Sequence, residues 1–211
     1  MAALVVALAG CASKGIQSDF SLETAKTEGV VVFSVSHDLS GGRSAKAIFY
    51  LNGGSLAKNG GTLFSLPTVF PGIPGGSDFE DEYGKLYALS LPTGHHRINS
   101  WQIVSGTGLR IFPKEIPDQL TFEVKPGEIK YLGNLHANLQ SGKNVFGMTI
   151  VGNGFPEVRD RRTRDIELFE AKYPQFKDKT KIELLTLGPW ITKEGTPRQL
   201  DMQPPVTPPS K

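Results

Sequence analysis

Between Glu28 and about Gly152, hydrophobic residues come in short runs separated by glycine, proline and polar residues. The first run, Val30 to Ser36 (VVVFSVS), is nearly continuous and predicts a buried strand. Further runs at similar spacing predict strands over 45–51, 62–66, 85–91, 96–104, 109–112, 120–124, 129–135 and 145–151. The spacing indicates a mainly β fold, an antiparallel β-sandwich of about eight strands.

The clearest local pattern is LTFEVKPGEIKY. Hydrophobic residues alternate with polar ones from Leu120 to Val124 and again from Ile129 to Tyr131. Between them, Pro126 and Gly127 suit the two central positions of a type II turn, because proline presets φ and glycine tolerates a positive φ. The pattern therefore predicts a hairpin with one face on the core.

The pattern changes to a helical period after the strands. Over 158–173, Ile166, Phe169 and Tyr173 fall on one stripe at helical spacing, and Pro174 ends the pattern. A run at 181–187 predicts a short final strand. The last 16 residues, 196–211, include five prolines and predict a disordered tail.

Composition narrows the class of protein. The 211 residues are 38% hydrophobic and 21% charged, which suits a folded domain. Glycine and proline, at 24 and 15 residues, are above their average frequencies and fit a fold with many turns. The net charge of +2 gives no basic field for nucleic acid. One cysteine excludes a disulfide within the chain and a cysteine-rich zinc site.

The amino terminus carries that cysteine after a short apolar run. Residues Ala2 to Ala9 are too few to span a bilayer but long enough for the core of a signal peptide. Leu8 to Cys11 then reads LAGC, which resembles the lipobox of bacterial lipoproteins. No Lys or Arg precedes Cys11, which departs from an ordinary signal.

The lipobox resemblance implies an address. It implies that Cys11 takes a diacylglycerol on its sulfur, that the chain is cut before it, and that the new amino terminus is acylated. Several acyl chains hold a protein firmly on a membrane. Ala12 and Ser13 follow, without the aspartate that retains such proteins in the inner membrane, so the resemblance implies an outer-membrane anchor facing the periplasm.

Three other stretches resemble a loose group of envelope lipoproteins of unknown function that have a β-sandwich core. They are LSLPTGHHRI at 89–98, FEVKPGEIKYLGNL at 122–135, and the helical 165–174. The first is also similar to a strand corner of transthyretin-like and carboxypeptidase-regulatory-like sandwiches. These are turn and packing motifs, so the resemblance implies a fold and a location but no reaction.

The predicted organisation follows from these observations. It comprises a signal peptide (1–10), a lipidated tether (11–27), a β-sandwich domain (28–152), a helix and strand appendage packed on the sandwich (153–195) and a proline-rich disordered tail (196–211).

Two groups of residues suggest metal sites, and both have simpler interpretations. His95 and His96 are neighbours in a predicted strand, so they point to opposite faces and do not chelate one ion together. Four carboxylates in Asp78 to Glu82 lack the spacing of a Ca²⁺ loop, and a solvated acidic loop is the favoured interpretation. No metal or other cofactor is therefore predicted.

The candidate partner surface combines Phe79 of the acidic loop with Arg161 and Arg162. These arginines belong to a basic run, with Arg159 and Arg164, at the start of the predicted helix. Arginines there oppose the helix dipole, which suggests that they have anionic partners. The partners are either carboxylates of this chain, which we favour, or an external anion.

No motif of a serine hydrolase, nucleotide-binding loop or zinc protease is present, so no catalytic residue is assigned and the favoured class is not an enzyme. The leading hypothesis is a lipid-anchored, non-catalytic module that binds or scaffolds another envelope protein or glycan. One alternative is a small-ligand or glycan-binding sandwich, with the loop over 67–82 as rim and Trp101 and Trp190 as stacking platforms or core residues. The other is a cryptic hydrolase.

Overall fold

The computed structural model of the protein describes residues 15–16, 20–22, 26–57, 59–70, 73–106, 108–143, 149–191 and 198–199. These residues form fourteen strands, one α-helix and two 3-10 turns. The strands are β1 (Glu28–His37), β2 (Lys46–Leu51), β3 (Gly61–Phe64), β4 (Thr68–Phe70), β5 (Ile73–Pro74), β6 (Tyr83–Pro92), β7 (Gly94–Val104), β8 (Arg110–Phe112), β9 (Leu120–Val124), β10 (Ile129–Lys143), β11 (Thr149–Arg159), β12 (Thr180–Ile182), β13 (Gly188–Pro189) and β14 (Arg198–Gln199). The helix α1 spans Arg162–Lys172, and the turns span Leu39–Gly41 and Pro174–Phe176.

Two sheets pack face to face, which confirms the predicted mainly β sandwich with one helix. The first sheet has the order β13-β11-β10-β1-β6, with β12 beside β10. The second has the order β14-β8-β7-β2-β3, with β9 beside β7. Most pairs are antiparallel, but β1 and β12 each run parallel to β10. The central strand β1 is buried on both faces, which suits its nearly continuous apolar sequence.

The main core lies between the sheets. Odd-numbered side chains of β1 point into it and meet residues of the second sheet, and the largest of these are fully buried: Phe33, Phe49, Leu51, Leu63, Ile98, Ile103 and Ile111.

A smaller hydrophobic layer lies on the other face of the first sheet, under α1. The predicted stripe of Ile166, Phe169 and Tyr173 packs there, and Phe169 is fully buried. The helix ends where predicted, because Pro174 follows Tyr173. The partners of this stripe on the sheet are Val30, Val32, Ala88, Ile129 and Tyr131.

The predicted hairpin is wrong, although its turn is present. Gly127 has a φ of 64° and the N–H of Glu128 donates to the carbonyl of Lys125, as a type II turn requires. However, β9 pairs with β7 in the second sheet, whereas β10 pairs with β1 in the first. The turn therefore carries the chain from one sheet to the other. β9 buries its hydrophobic face as part of the second sheet, and β10 buries hydrophobic side chains as part of the first.

The helix begins later than predicted. Val158 and Arg159 belong to β11 and pair with β10, because Val158 is buried in the main core. The same strand crosses the boundary expected between residues 152 and 153, so the sandwich continues to Arg159. The final segment is split: β12 is followed by backbone bonds from Glu183 and Leu185 to β10, and then by β13.

Part of the predicted tether is packed on the fold. Gly15 forms a bridge with Leu89, and Ile16 is buried beneath the end of α1. Phe20 and Leu22 pack in the same layer. Ser13 to Thr27 is therefore not a free linker throughout. Cys11, the predicted signal peptide and most of the predicted tail lie outside the described residues. No described helix is long and apolar enough to cross a membrane.

Candidate functional site

The face of the first sheet that lies under α1 changes along its length from apolar to polar. In β1 the side chains on this face are Val30 and Val32, followed by Ser34 and Ser36. On β10, the pairing with β1 shifts by one residue around Gly133, whose φ is 111°. This bulge returns the following polar residues to the face on which Tyr131 lies.

A buried polar cluster covers this polar end. The acidic loop brings carboxylates from one side, and the end of β11 and the start of α1 bring arginines from the other. The polar cluster consists of Ser34, Ser36, Asp38, Glu82, Tyr131, Asn134, His136, Arg159, Arg164 and Asp165.

Arg164 is the hub of the polar cluster. Its Nη1 donates to Oε1 of Glu82 at 2.6 Å, and its Nε donates to Oδ1 of Asp165 at 2.9 Å. Its guanidinium carbon lies 3.6 Å from the centre of the Phe79 ring, a close cation–π contact. One arginine thus pairs with two carboxylates whose residues are only 2% and 0% exposed.

Asp165 also accepts hydrogen bonds from two hydroxyl groups. Ser34 and Tyr131 donate to its Oδ2 at 2.5 and 2.8 Å. Burial raises the pKa of Asp165 above its ordinary value, although the hydrogen bonds and Arg164 act in the opposite direction. The same burial and the nearby carboxylate raise the pKa of Tyr131.

His136 joins the carboxylates on the other side of the polar cluster. Its Nδ1 lies 3.1 Å from Oε2 of Glu82, and its Nε2 lies 3.1 Å from Oδ1 of Asp38. Burial alone would lower the pKa of His136, but these two carboxylates raise it. Burial acts to raise the pKa of Glu82, but His136 and Arg164 outweigh it and lower that pKa to about 2. Both pKa shifts therefore favour the charged forms of His136 and Glu82.

Amide and hydroxyl groups fill the space between these charges. Asn134 donates from Nδ2 to the hydroxyl oxygens of Ser34 and Ser36 at 2.8 and 2.9 Å. Ser36 in turn lies 2.8 Å from Nδ1 of His136. The acids, the imidazole and the hydroxyls therefore bind one another, and the arrangement can hold α1 on the sheet.

A second buried histidine has the opposite character. Nδ1 of His37 lies 2.7 Å from the hydroxyl oxygen of Ser65, and its Nε2 lies 3.2 Å from the carbonyl oxygen of Gly42. Burial lowers the pKa of His37 to about 4, so it is neutral in the fold at pH 7.

Phe79, predicted as part of a partner surface, is only 8% exposed because Arg164 covers its ring. It lines a hollow of about 550 Å³ between the acidic loop and α1, together with Leu168 and Ala171. The Phe79 ring therefore forms part of the wall of that hollow and does not project from the surface.

Arg161 and Arg162 are on the surface, and both have carboxylate partners in this chain. Arg161 lies 3.6 Å from Asp81, and Arg162 forms a two-pronged pair with Asp160. Asp160 also accepts the backbone N–H of Arg162 at the helix start. The intramolecular partners expected from the helix dipole are thus present.

The acidic loop is bound to basic side chains. Asp78 pairs with Lys85 at 2.8 Å and with Lys172 of α1 at 3.0 Å. Asp81 is exposed, and Glu82 is buried in the polar cluster. In the described part of the chain, no three acidic, histidine or cysteine residues are arranged to hold a metal ion.

The two tryptophans that were alternatives for ligand stacking are in the core. Trp101 is 3% and Trp190 is 6% exposed, and Trp190 stacks on Phe49. They provide no open platform.

An open cleft of about 370 Å³ lies instead on the outer face of the second sheet. His96 borders the cleft but is only 6% exposed: its ring stacks on Phe122 of the core, with Nε2 2.7 Å from the carbonyl of Pro92 and Nδ1 2.8 Å from the Asn52 amide. His95 is exposed, as expected from opposite faces. The full lining is polar and carries one permanent charge: Asn52, Asn59, His95, His96, Arg97, Gln119 and Thr121.

Sequence reasoning did not identify the polar cluster. A usable signal is the alternation in β1, where hydrophobic side chains at Val30 and Val32 give way to Ser34 and Ser36 on one face. The cluster unites residues up to 131 positions apart, and no local spacing connects them.

Comparisons with known proteins add no family. No protein-family model matches the chain, and no curated protein matches it. Among solved structures, a leucine-rich repeat protein from Bacteroides thetaiotaomicron is similar to 52% of this chain and 12% of that chain, at 18% identity and a TM-score of 0.27. A likeness this weak indicates neither the fold nor the function of this protein.

Proposed function

We propose that the protein is a lipid-anchored module of the bacterial cell envelope that binds or scaffolds another component without catalysing a reaction. The observation that carries the proposal is the LAGC stretch ending at Cys11, four residues before the chain enters the fold at Gly15. A lipid on Cys11 would stand directly beside a folded domain. Ala12 and Ser13 favour the outer membrane, facing the periplasm, by the same resemblance.

The polar cluster supports a scaffolding role. Glu82, His136 and Asp165 are residues of the kind that catalyse proton transfer, but here each is bound to other side chains and covered by α1 or the acidic loop. Such a network orients one element on another, in the way that satisfied buried polar groups specify a unique packing.

Cys11→Ala tests the anchor. The variant is expected to move from the membrane fraction to the soluble periplasmic fraction, because the acyl chains provide the membrane affinity. Fractionation of cells that express the full chain, with metabolic labelling by an alkyne fatty acid, measures both location and lipid. Ser13→Ala is the matched control and should stay labelled and membrane-bound. Membrane retention of an unlabelled Cys11→Ala protein would overturn the proposed anchor.

The polar cleft favours a second candidate function, the binding of a small ligand or glycan. Arg97 donates one N–H to Gln119 and lies in a lining without a carboxylate, so the cleft suits a hydroxyl-rich ligand that carries an acidic group. For this candidate we propose a rim on the second sheet in place of the loop over 67–82.

Glucuronate is a suitable compound to test the cleft, with glucose as its neutral counterpart. Glucuronate is expected to shift the amide resonances of residues 95–97 and 119–121, and Arg97→Ala should abolish the shifts because the charged donor is lost. Arg110→Ala removes an exposed arginine of the same sheet outside the cleft and should leave them unchanged. Equal shifts with glucose, or none with either sugar, would contradict an acidic-sugar site.

A further inference from the structure

The amino-terminal segment enters the fold at one defined corner. Gly15 bridges Leu89, and the N–H of Ile16 donates to the carbonyl of Ala88 at 3.0 Å, so the segment lies along β6, the edge strand of the first sheet. The hydroxyl of Tyr173, at the end of α1, lies 3.3 Å from the carbonyl oxygen of Ile16 and donates to it. The chain is thus held between the sheet edge and the helix end.

Aromatic packing fixes the next part of the same segment. Phe20 contacts Phe176 edge to face, with ring centres 6.4 Å apart, and Phe176 also packs against Phe169 and Tyr173. Ile16 itself is only 7% exposed. The anchor corner is defined by Gly15, Ile16, Tyr173 and the stretch from Pro174 to Lys179.

The distance from Cys11 to this corner is limited by chain length. Gly15 is four positions after Cys11, and a fully extended chain of four steps reaches at most about 14 Å. A folded domain of this size is about 40 Å across, from the usual scaling of its radius. A lipid on Cys11 therefore has no access to the opposite side of the domain.

The order of the three layers of the fold shows which residues lie farthest from the anchor corner. The helix layer, with the anchor corner, covers one face of the first sheet, and the second sheet covers the other. Packed layers are about 10 Å apart. Within the second sheet, β3 lies under β6, since Tyr87 of β6 bonds to Phe64 of β3, and β8 lies toward the other edge. Arg110 on β8 is therefore among the residues most distant from the anchor corner.

We propose that the membrane surface lies against the anchor corner, so that the outer face of the second sheet, with the polar cleft, points away from the bilayer. This inference rests on the lipid anchor proposed above. The exposed side chains at the corner suit the headgroup region: Lys177 and Lys179 are exposed, with one exposed acid, Asp178, between them. Tyr173 is half-buried, with its hydroxyl toward the segment that leads to the lipid.

Single introduced thiols report the orientation. Cys11 is the only native cysteine, and lipidation occupies its sulfur, so Lys179→Cys and Arg110→Cys each give one free thiol for a fluorophore. The full-length lipidated protein is reconstituted into phosphatidylcholine and phosphatidylglycerol vesicles that contain a headgroup-attached nitroxide quencher. The label at position 179 is expected to be quenched at least twofold more than the label at position 110. Equal quenching, or stronger quenching at 110, would overturn the proposed orientation.

Two controls distinguish a failure of the lipid anchor from a failure of the proposed orientation. Intact-mass measurement shows whether Cys11 carries lipid; an unmodified mass counts against the anchor itself, before orientation is measured. A 20-residue Gly-Ser insertion after Ala12 adds a flexible span of about 25 Å and should reduce the difference between the two labels. An undiminished difference with the insertion would show that the short reach does not set the orientation.

Discussion

Arg164→Ala is expected to lower the free energy of unfolding by about 3–5 kcal/mol, because it takes the cation from buried Asp165 and leaves buried Glu82 with only His136 close by. Glu82 and Asp165 each lose a hydrogen bond shorter than 3 Å, and burial keeps water from replacing it. The substitution also uncovers the Phe79 ring. For a domain of this size the loss corresponds to a melting temperature lower by roughly 10 °C.

Arg162→Ala is the matched control for this prediction. Arg162 is an arginine of the same helix turn, but it is exposed and pairs with Asp160 at the surface. Its removal should change the free energy of unfolding by no more than about 1 kcal/mol. Urea denaturation of both variants at pH 7 measures the difference. Similar losses for the two variants would contradict the role of Arg164 as hub of the polar cluster.

Acidification is expected to destabilise the protein in two stages. His37 has a folded pKa of about 4, below that of an unfolded histidine, so the unfolded state gains a proton first and stability falls from pH 6.5 to 4. Glu82 has a folded pKa of about 2, so its stabilisation is lost as pH falls from about 4.5 to 2. Each stage amounts to roughly 3 kcal/mol.

Other titratable groups also contribute to the dependence of stability on pH. The pKa of Asp38 is lowered, against the effect of burial, by His136 and the Leu139 N–H, and this adds to the acid stage. Asp165 acts in the opposite direction, because its raised pKa favours protonation in the fold. His136 contributes stability below pH 6.5 that is lost as pH rises through its raised folded pKa. The maximum of stability is therefore expected near pH 6.5.

Variants assign the two stages. The urea midpoint is measured from pH 8 to pH 3 for His37→Gln, Glu82→Gln and, as a control, exposed His95→Gln. His37→Gln should flatten the curve between pH 6.5 and 4, and Glu82→Gln should flatten it below pH 4.5. An unchanged slope in either variant would show that the stage belongs to another group.

Local patterns predicted the elements better than their partners. The strand at 120–124 and the turn at Pro126 and Gly127 are present as expected, yet the strands on either side of that turn enter different sheets. Alternation shows that a strand has a buried face, but it does not show which sheet supplies the other half of the core. The helix stripe was predictable for the same reason, since one face of α1 needed a hydrophobic partner.

The candidate site was less predictable because its geometry depends on long-range pairing. Arg161 and Arg162 stood out as part of a basic run that also contains Arg164. Arg164, which pairs with two buried carboxylates, differs from them in burial and not in sequence context: its side chain is 24% exposed, against 39% and 47%. His136 lies in an ordinary strand pattern. Its role requires the bulge at Gly133 and the parallel pairing of β10 with β1, which join residues about 100 positions apart.

That parallel pairing also affects how the chain folds during synthesis. The central strand β1 is made first, but its two neighbours, β6 and β10, come much later in the chain. Contacts between distant residues close large loops, which slows folding. The first sheet has no complete centre until β10 has been made, so we expect the core to form only after most of the chain has left the ribosome.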